Sequence, residues 1–172
     1  MGMDVHGKNP TTEAGQYFHN NVWWWRPLAI YLTSQAPQQI VGKCRFWQSN
    51  DGAGLNAKDS LKLAAWLRDE LASGRTATYA MDYQATLDAL PTLPCKYCNR
   101  TGVRADKVGV EMGMDKKVID EVAHPRQGQT GWCNGCNGVG QKQDSYTNYP
   151  FAVENVEEFA TFLEGCGGFR IC

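Results

Sequence analysis

Apolar residues recur every three or four positions in four parts of the chain, which is the spacing of one face of an α-helix. Residues that favour helix ends flank two of these segments: Asn20-Asn21 precedes the first, and Gly74 ends the second. The pattern predicts helices over residues 22–34, from a cap at Asn56 or Asp59 to Gly74, over 78–90 and over 155–164.

Shorter apolar segments between these helices predict strands. The predicted strands are a piece around Met3 and Val5, a strand over 40–47, a hairpin formed by 107–112 and 117–122 about a turn at 113–115, and a last strand over 169–172. Helices and strands together indicate an α+β fold with a small helical core and short strands.

The length of the chain favours one domain. With 172 residues it can bury a sizeable core, but it is short for two full domains. Residues 95–140 differ from the rest, because glycines and cysteines replace the helical pattern there. We therefore predict a single domain over 1–172 with an insertion at 95–140.

Charge and targeting signals exclude several classes of protein. Seventeen lysines and arginines against eighteen aspartates and glutamates give a net charge of −1, which argues against non-specific nucleic-acid binding. The N-terminus lacks the apolar run of a signal peptide, and no run of eighteen apolar residues occurs. We expect a cytoplasmic protein with no membrane partner, whose seven cysteines are metal ligands or core residues rather than disulfides.

Two cysteine motifs carry the strongest chemical signal. Residues 95–102 read C-K-Y-C-N-R-T-G, and residues 133–140 read C-N-G-C-N-G-V-G. Two C-x-x-C pairs can clasp one tetrahedral Zn²⁺ ion, and four thiolates leave no open position for water. The predicted ligands of one structural zinc ion are Cys95, Cys98, Cys133 and Cys136.

The motif C-x-x-C-x-G-x-G resembles the repeat of the cysteine-rich zinc domain of DnaJ-type chaperones. The second motif matches it fully, whereas in the first Arg100 replaces the inner glycine and Gly102 remains. That family has four such repeats and binds two zinc ions, but this chain has two and lacks the J-domain signature. The resemblance implies a zinc-knuckle insertion at 95–140 and not chaperone activity.

Other interpretations of the cysteines stay open at this point. Trp132-Cys133-Asn134-Gly135-Cys136 resembles a thioredoxin-like redox pair, although the flanking segments do not form the βαβ pattern of that fold. The thiols could also be unliganded, or His124 could replace one of them. Singly placed cysteines are usually small buried apolar residues, so no role is assigned to Cys44, Cys166 and Cys172.

Three consecutive tryptophans precede an arginine: Trp23, Trp24, Trp25 and Arg26. Successive helical residues point about 100° apart, so the three indoles cannot all face one core. Exposed tryptophan beside arginine is typical of protein-binding hot spots and of surfaces on which bases stack. We predict that part of this cluster binds a partner; the alternative is that all three rings pack into the core.

The ends of the chain also resemble small proteins of bacteriophages and prophages, through the Met-Gly-Met-Asp-Val opening, the Asn20–Leu28 segment and the Gly-Gly-Phe ending. This implies an accessory protein of the bacterial host cytoplasm that binds, and inhibits, a host protein such as a defence protein. The alternative is a nucleic-acid-binding protein that uses 95–132 with Trp25 and Arg26. A thiol or metal-dependent enzyme is a second alternative, but no motif supplies catalytic residues, so we expect no enzyme.

Overall fold

The computed structural model describes residues 2–172 and shows an α+β fold. Its helices are α1 (Val22–Gln35), α2 (Gln38–Val41), α3 (Ala57–Ala72), α4 (Arg75–Asp88), α5 (Lys107–Glu111) and α6 (Val153–Gly165). Its strands are β1 (Gly2–Gly7), β2 (Tyr17–Asn21), β3 (Leu93–Pro94), β4 (Gln141–Lys142) and β5 (Phe169–Ile171), and a short 3₁₀ helix covers Ser145–Asn148.

The chain divides into two compact units. The first comprises Met1–Asp88 and Asn148–Cys172, and the second comprises Ala89–Thr147. The second unit contains the whole of the predicted insertion at 95–140. That the two units form one domain stays a prediction.

A three-stranded antiparallel sheet of order β2-β1-β5 lies in the first unit. Val5 is paired with Phe18 of β2 and with Ile171 of β5. These three side chains are buried, whereas Asp4 and Arg170 on the other face are not. The alternation near the N-terminus therefore marks a real strand, and its apolar face packs onto the helices.

Helices α1, α3 and α6 supply most of the rest of the first unit's core. Phe159 of α6 lies beside Phe162, Phe18 and Phe169, with ring centroids 5.1–6.1 Å apart. The helix ends are set by side chains: Asn21 Oδ1 accepts hydrogen bonds from the amides of Trp23 and Trp24, and Asn56 Oδ1 accepts one from the amide of Asp59. The four predicted helices are confirmed as α1, α3, α4 and α6.

The predicted strand over 40–47 is wrong. Residues 38–41 form the helical turn α2, and turns follow it. Most apolar residues of this segment enter the core: Val41 and Trp47 are buried, and Trp47 Nε1 donates a hydrogen bond to the Val41 carbonyl at 3.1 Å.

The predicted hairpin over 107–122 is also wrong. Asp106 caps the short helix α5, since its carboxylate accepts a hydrogen bond from the amide of Gly109 at 2.7 Å. Residues 117–122 form no named strand, and Val118 makes one isolated bridge with Thr130. The pattern also failed to predict β2, in which Phe18 and Asn20 are the only inward-facing residues of a short strand.

No helix within residues 2–172 is both long enough and apolar enough to cross a bilayer.

Candidate metal centre

The two C-x-x-C segments form matching backbone turns. In the first, the amides of Cys98 and Asn99 both donate to the Cys95 carbonyl, at 3.3 and 2.8 Å. In the second, the amides of Cys136 and Gly138 both donate to the Cys133 carbonyl, at 3.3 and 3.0 Å. Each turn therefore points its two thiols to the same side.

Short strands hold the two turns together. β3, directly before the first turn, pairs antiparallel with β4, directly after the second. The amide of Cys95 donates to the Gly140 carbonyl at 3.0 Å, and the amide of Gly140 donates to Cys136 Sγ at 3.1 Å. The sequence thus brings together two motifs that lie far apart along the chain.

The four sulfur atoms form one cluster. Cys95 Sγ lies 3.8 Å from Cys133 Sγ, Cys98 Sγ lies 3.6 Å from Cys136 Sγ, and all four atoms lie within 4.8 Å of one another. A tetrahedral zinc ion with bonds of about 2.3 Å separates its sulfur ligands by about 3.8 Å, whereas a disulfide bond needs about 2.05 Å. The spacing is that of ligands around one ion.

Because the cluster is buried, ionisation of several of its thiols is unfavourable unless a cation is bound among them. Burial raises the pKa of Cys136 to about 12, and it also raises the pKa of Cys133. Burial opposes ionisation of Cys95 as well, but hydrogen bonds from the Tyr97 amide and from neighbouring thiols lower its pKa to about 7. The Cys95 thiolate can therefore form readily, and a bound dication would stabilise the thiolates of Cys133 and Cys136.

Cationic side chains surround an aromatic ring beside the first turn. Lys96 Nζ, Arg104 Cζ and Lys142 Nζ lie 5.2, 4.6 and 5.3 Å from the centroid of the Tyr97 ring. Hydrogen bonding to Asp106 raises the pKa of Arg104, and the charge of Cys133 contributes in the same direction. These cations would offset the net charge of −2 that four thiolates leave on a zinc ion.

The first turn keeps its shape although it lacks the inner glycine. Arg100 adopts φ +71°, close to the φ +76° of Gly138 at the matching place of the second turn. Asn99 and Asn137, the preceding residues, also match, at φ +46° and +50°. The substitution of arginine for glycine therefore changes the side chain and leaves the backbone turn intact.

Gly140 is a position where the metal centre needs glycine. Its φ is +87°, and a Cβ atom there would lie 2.3 Å from the Arg100 carbonyl oxygen. Gly128 has a similar φ of +78° but open space around it.

We expect Gly128→Ala to lower the free energy of unfolding by about 1–2 kcal/mol, because alanine is strained in a left-handed backbone. Gly140→Ala should lower it by roughly 1–3 kcal/mol more, because of the clash with the Arg100 carbonyl. Urea unfolding with metal content measured at each step tests this; equal losses would contradict the close packing of the two turns.

No protein-family model matches the chain. No curated protein and no solved structure matches it either. The resemblances of the knuckles to DnaJ-type zinc domains and of the chain ends to phage proteins therefore stay predictions. The clustering of the four thiols stands on the geometry alone.

His124 does not join the cluster. Its Nε2 lies 2.6 Å from the Asn137 carbonyl oxygen, and its Nδ1 accepts a hydrogen bond from the Arg126 amide at 3.0 Å. One ring nitrogen thus joins the loop around His124 to the second C-x-x-C segment, and the other holds the backbone of this loop itself. Within residues 2–172, the four cysteines are the group of His, Cys, Asp and Glu side chains that could hold a metal ion.

The remaining cysteines belong to the first unit. Cys44 and Cys166 are buried, and burial raises the pKa of both thiols, that of Cys44 to about 11. Such thiols are poor nucleophiles, and neither belongs to the group of side chains that could hold a metal ion. Cys172 is half-buried at the end of the chain.

The tryptophan cluster divides between core and surface. Trp25 is fully buried, and its Nε1 donates to the Trp47 carbonyl at 2.6 Å, so it cannot contact a partner directly as predicted. Trp23 and Trp24 are 44% and 37% exposed. Arg26 stacks over the Tyr149 ring at 4.8 Å, and Trp23 lies 4.8 Å from the same ring.

A hollow of about 410 Å³ opens beside these rings. It is lined by Trp23, Trp24, Asn148 and Pro150. We use the name Trp surface for Trp23, Trp24, Arg26 and Tyr149 with this hollow. Sequence patterns pointed to its first three residues but not to Tyr149, which lies 123 positions after Arg26.

Proposed function

We propose that this protein is a protein-binding module whose second unit is stabilised by one structural zinc ion. The observation that supports the metal is the spacing of four buried sulfurs, which fits tetrahedral thiolate coordination. Soft thiolate ligands favour zinc over the harder cations magnesium and calcium. A closed sphere of four thiolates leaves no position for a reacting water, so the proposal includes no catalytic step.

The proposed binding site is the Trp surface. Two neighbouring tryptophans there are more than one-third exposed, and neither indole N–H has a hydrogen-bond acceptor within residues 2–172. Contact with Tyr149 holds Trp23 in place, so ordering the site on binding costs little entropy. The resemblance of the chain ends to phage proteins supports a bacterial host protein as the partner, which this protein would bind one to one and thereby inhibit.

Removal of one indole should separate binding from stability. We expect Trp24→Ala to weaken binding of the partner captured from bacterial lysate by roughly 2 kcal/mol or more, because truncation of a hot-spot aromatic costs that much. The melting temperature should stay nearly unchanged. Phe46→Ala is the matched control, since Phe46 is 56% exposed and lies outside the Trp surface. Equal binding by both variants would contradict the proposal.

One observation favours nucleic acid as a second candidate. Lys96, Arg104 and Lys142 surround Tyr97, which is 40% exposed, and this combination suits stacking on a base beside a phosphate. From the sequence, Trp25 is also expected on the nucleic-acid surface, but Trp25 is buried. A labelled single strand that binds with steep salt dependence, and that Tyr97→Ala releases, would favour this candidate over protein binding.

A further inference from the structure

A second hollow is also bordered by Trp24. It has a volume of about 340 Å³ and is lined by His19, Asn20, Trp24, Ala152, Glu154, Asn155 and Glu158. We call it the acidic hollow. Because Trp24 lines both this hollow and that of the Trp surface, the two are neighbours.

Two side-chain amides, those of Asn20 and Asn155, join the elements that surround the acidic hollow. Asn20 Nδ2 donates to Asn155 Oδ1 at 2.5 Å, and Asn155 Nδ2 donates to the Trp24 carbonyl at 3.2 Å. These bonds join β2, α6 and α1 within the first unit. The backbone positions that carry Trp24, Glu154 and Glu158 are therefore fixed relative to one another before any partner arrives.

Within residues 2–172, no cationic side chain pairs with the two carboxylates that line the acidic hollow, Glu154 and Glu158. Glu154 and Glu158 are four positions apart in α6 and share one face of the helix, where like charges repel. Neither forms an ion pair or hydrogen bond within residues 2–172, although Glu157 and Glu164 of the same helix lie near Arg68. Glu154 can favour the N-terminus of α6, but Glu158 lies beyond the first turn and gains nothing there.

The residues that line the acidic hollow favour binding of a cationic side chain with an alkyl stem. An aromatic face attracts an ammonium or guanidinium group, and two nearby carboxylates add to that attraction. The neighbouring hollow, between Trp23, Trp24 and Pro150, has the rings to receive an apolar side chain. On the side of the sheet, the nearby carboxylate is Asp4 of β1. It is already hydrogen-bonded to Tyr17 and His19 of β2, so the two glutamates of α6 are the carboxylates left to pair with a cation.

We infer that the acidic hollow binds a lysine or arginine side chain of the partner protein, next to an apolar side chain in the hollow of the Trp surface. This inference rests on the proposed protein-binding function and specifies the partner's chemistry. Trp24 contacts both partner side chains, and Glu154 and Glu158 pair with the cation. The partner segment thus carries a basic residue close to a large apolar one.

Selection from a displayed library of short random peptides tests the inference on the full-length, zinc-loaded protein. The wild type should enrich peptides with lysine or arginine beside an apolar residue. The double variant Glu154→Gln/Glu158→Gln should bind the selected peptides about tenfold more weakly, because two exposed ion pairs are lost while the contact with the Trp24 ring remains. Glu157→Gln is the matched control on the same helix and should bind as the wild type does.

The possible outcomes separate the two proposals. Enrichment that depends on Trp24 but shows no preference for basic residues would overturn the inference and leave protein binding at the Trp surface in place. Absence of enrichment over the Trp24→Ala variant would overturn both. Replacing the arginine of a selected peptide by citrulline, which has the same shape without the charge, should weaken binding at least as much as the double variant does, because it also removes the contact of the cation with the Trp24 ring.

Discussion

The Cys133→Ser variant is expected to lose the bound zinc ion and to unfold within Ala89–Thr147. This unit has almost no other core: besides the four cysteines, its buried apolar side chains are Met114 and Ile119. A unit of this size cannot be stable on so little buried apolar surface. In the proposed zinc-bound state, the metal is therefore expected to supply most of the folding free energy of this unit, for which zinc-finger peptides set an upper scale of about 10–16 kcal/mol.

Cys172→Ser is the control, because Cys172 lies outside the cluster and is only half-buried. Elemental analysis should find one zinc per chain in the wild type and in the control, and close to none in Cys133→Ser. Amide hydrogen exchange should show lost protection across 89–147, with protection retained in the helices of the first unit. Full protection of 89–147 in the zinc-free variant would contradict a structural role for the metal.

Local signals sufficed where a side chain determines its own backbone. Asn21 and Asn56 cap α1 and α3 by accepting hydrogen bonds from amides two or three residues ahead. The sequence therefore located the start of α1 and narrowed the start of α3 to Asn56 or Asp59. The same holds for the knuckles. Each C-x-x-C turn closes with hydrogen bonds inside its own segment, and the two pairs were correctly predicted to meet.

Prediction failed where contacts far along the chain decide the structure. The apolar residues of 40–47 looked like a strand, but Val41 and Trp47 are held by the helical core and by each other. The segment 107–112 failed for a different, local reason: its composition is strand-like, but Asp106 caps a short helix through a hydrogen bond from the amide of Gly109, and the strand prediction overlooked this cap. Tyr149 joins the Trp surface from a position with no local pattern, so no sequence window could reveal it.

The Trp25→Ala variant is expected to destabilise the first unit by about 3–5 kcal/mol, the usual cost of removing a large buried aromatic side chain. Trp25 is fully buried, and its ring lies 5.9 Å from that of Phe159 and 6.4 Å from that of Trp47. Its removal would leave a cavity among these rings and free the Trp47 carbonyl, which accepts the indole N–H. Urea unfolding followed by circular dichroism of the helices measures the loss.

Trp24→Ala, the adjacent position in α1, is the matched control for this loss. Its side chain is 37% exposed, and the hydrogen bond from Asn155 goes to its backbone carbonyl, which alanine keeps. We expect the free energy of unfolding to change by no more than about 0.5 kcal/mol, as for other surface substitutions. A large loss of stability in Trp24→Ala would mean that this indole belongs to the core. Both the Trp surface and the acidic hollow would then lose the side chain that they share.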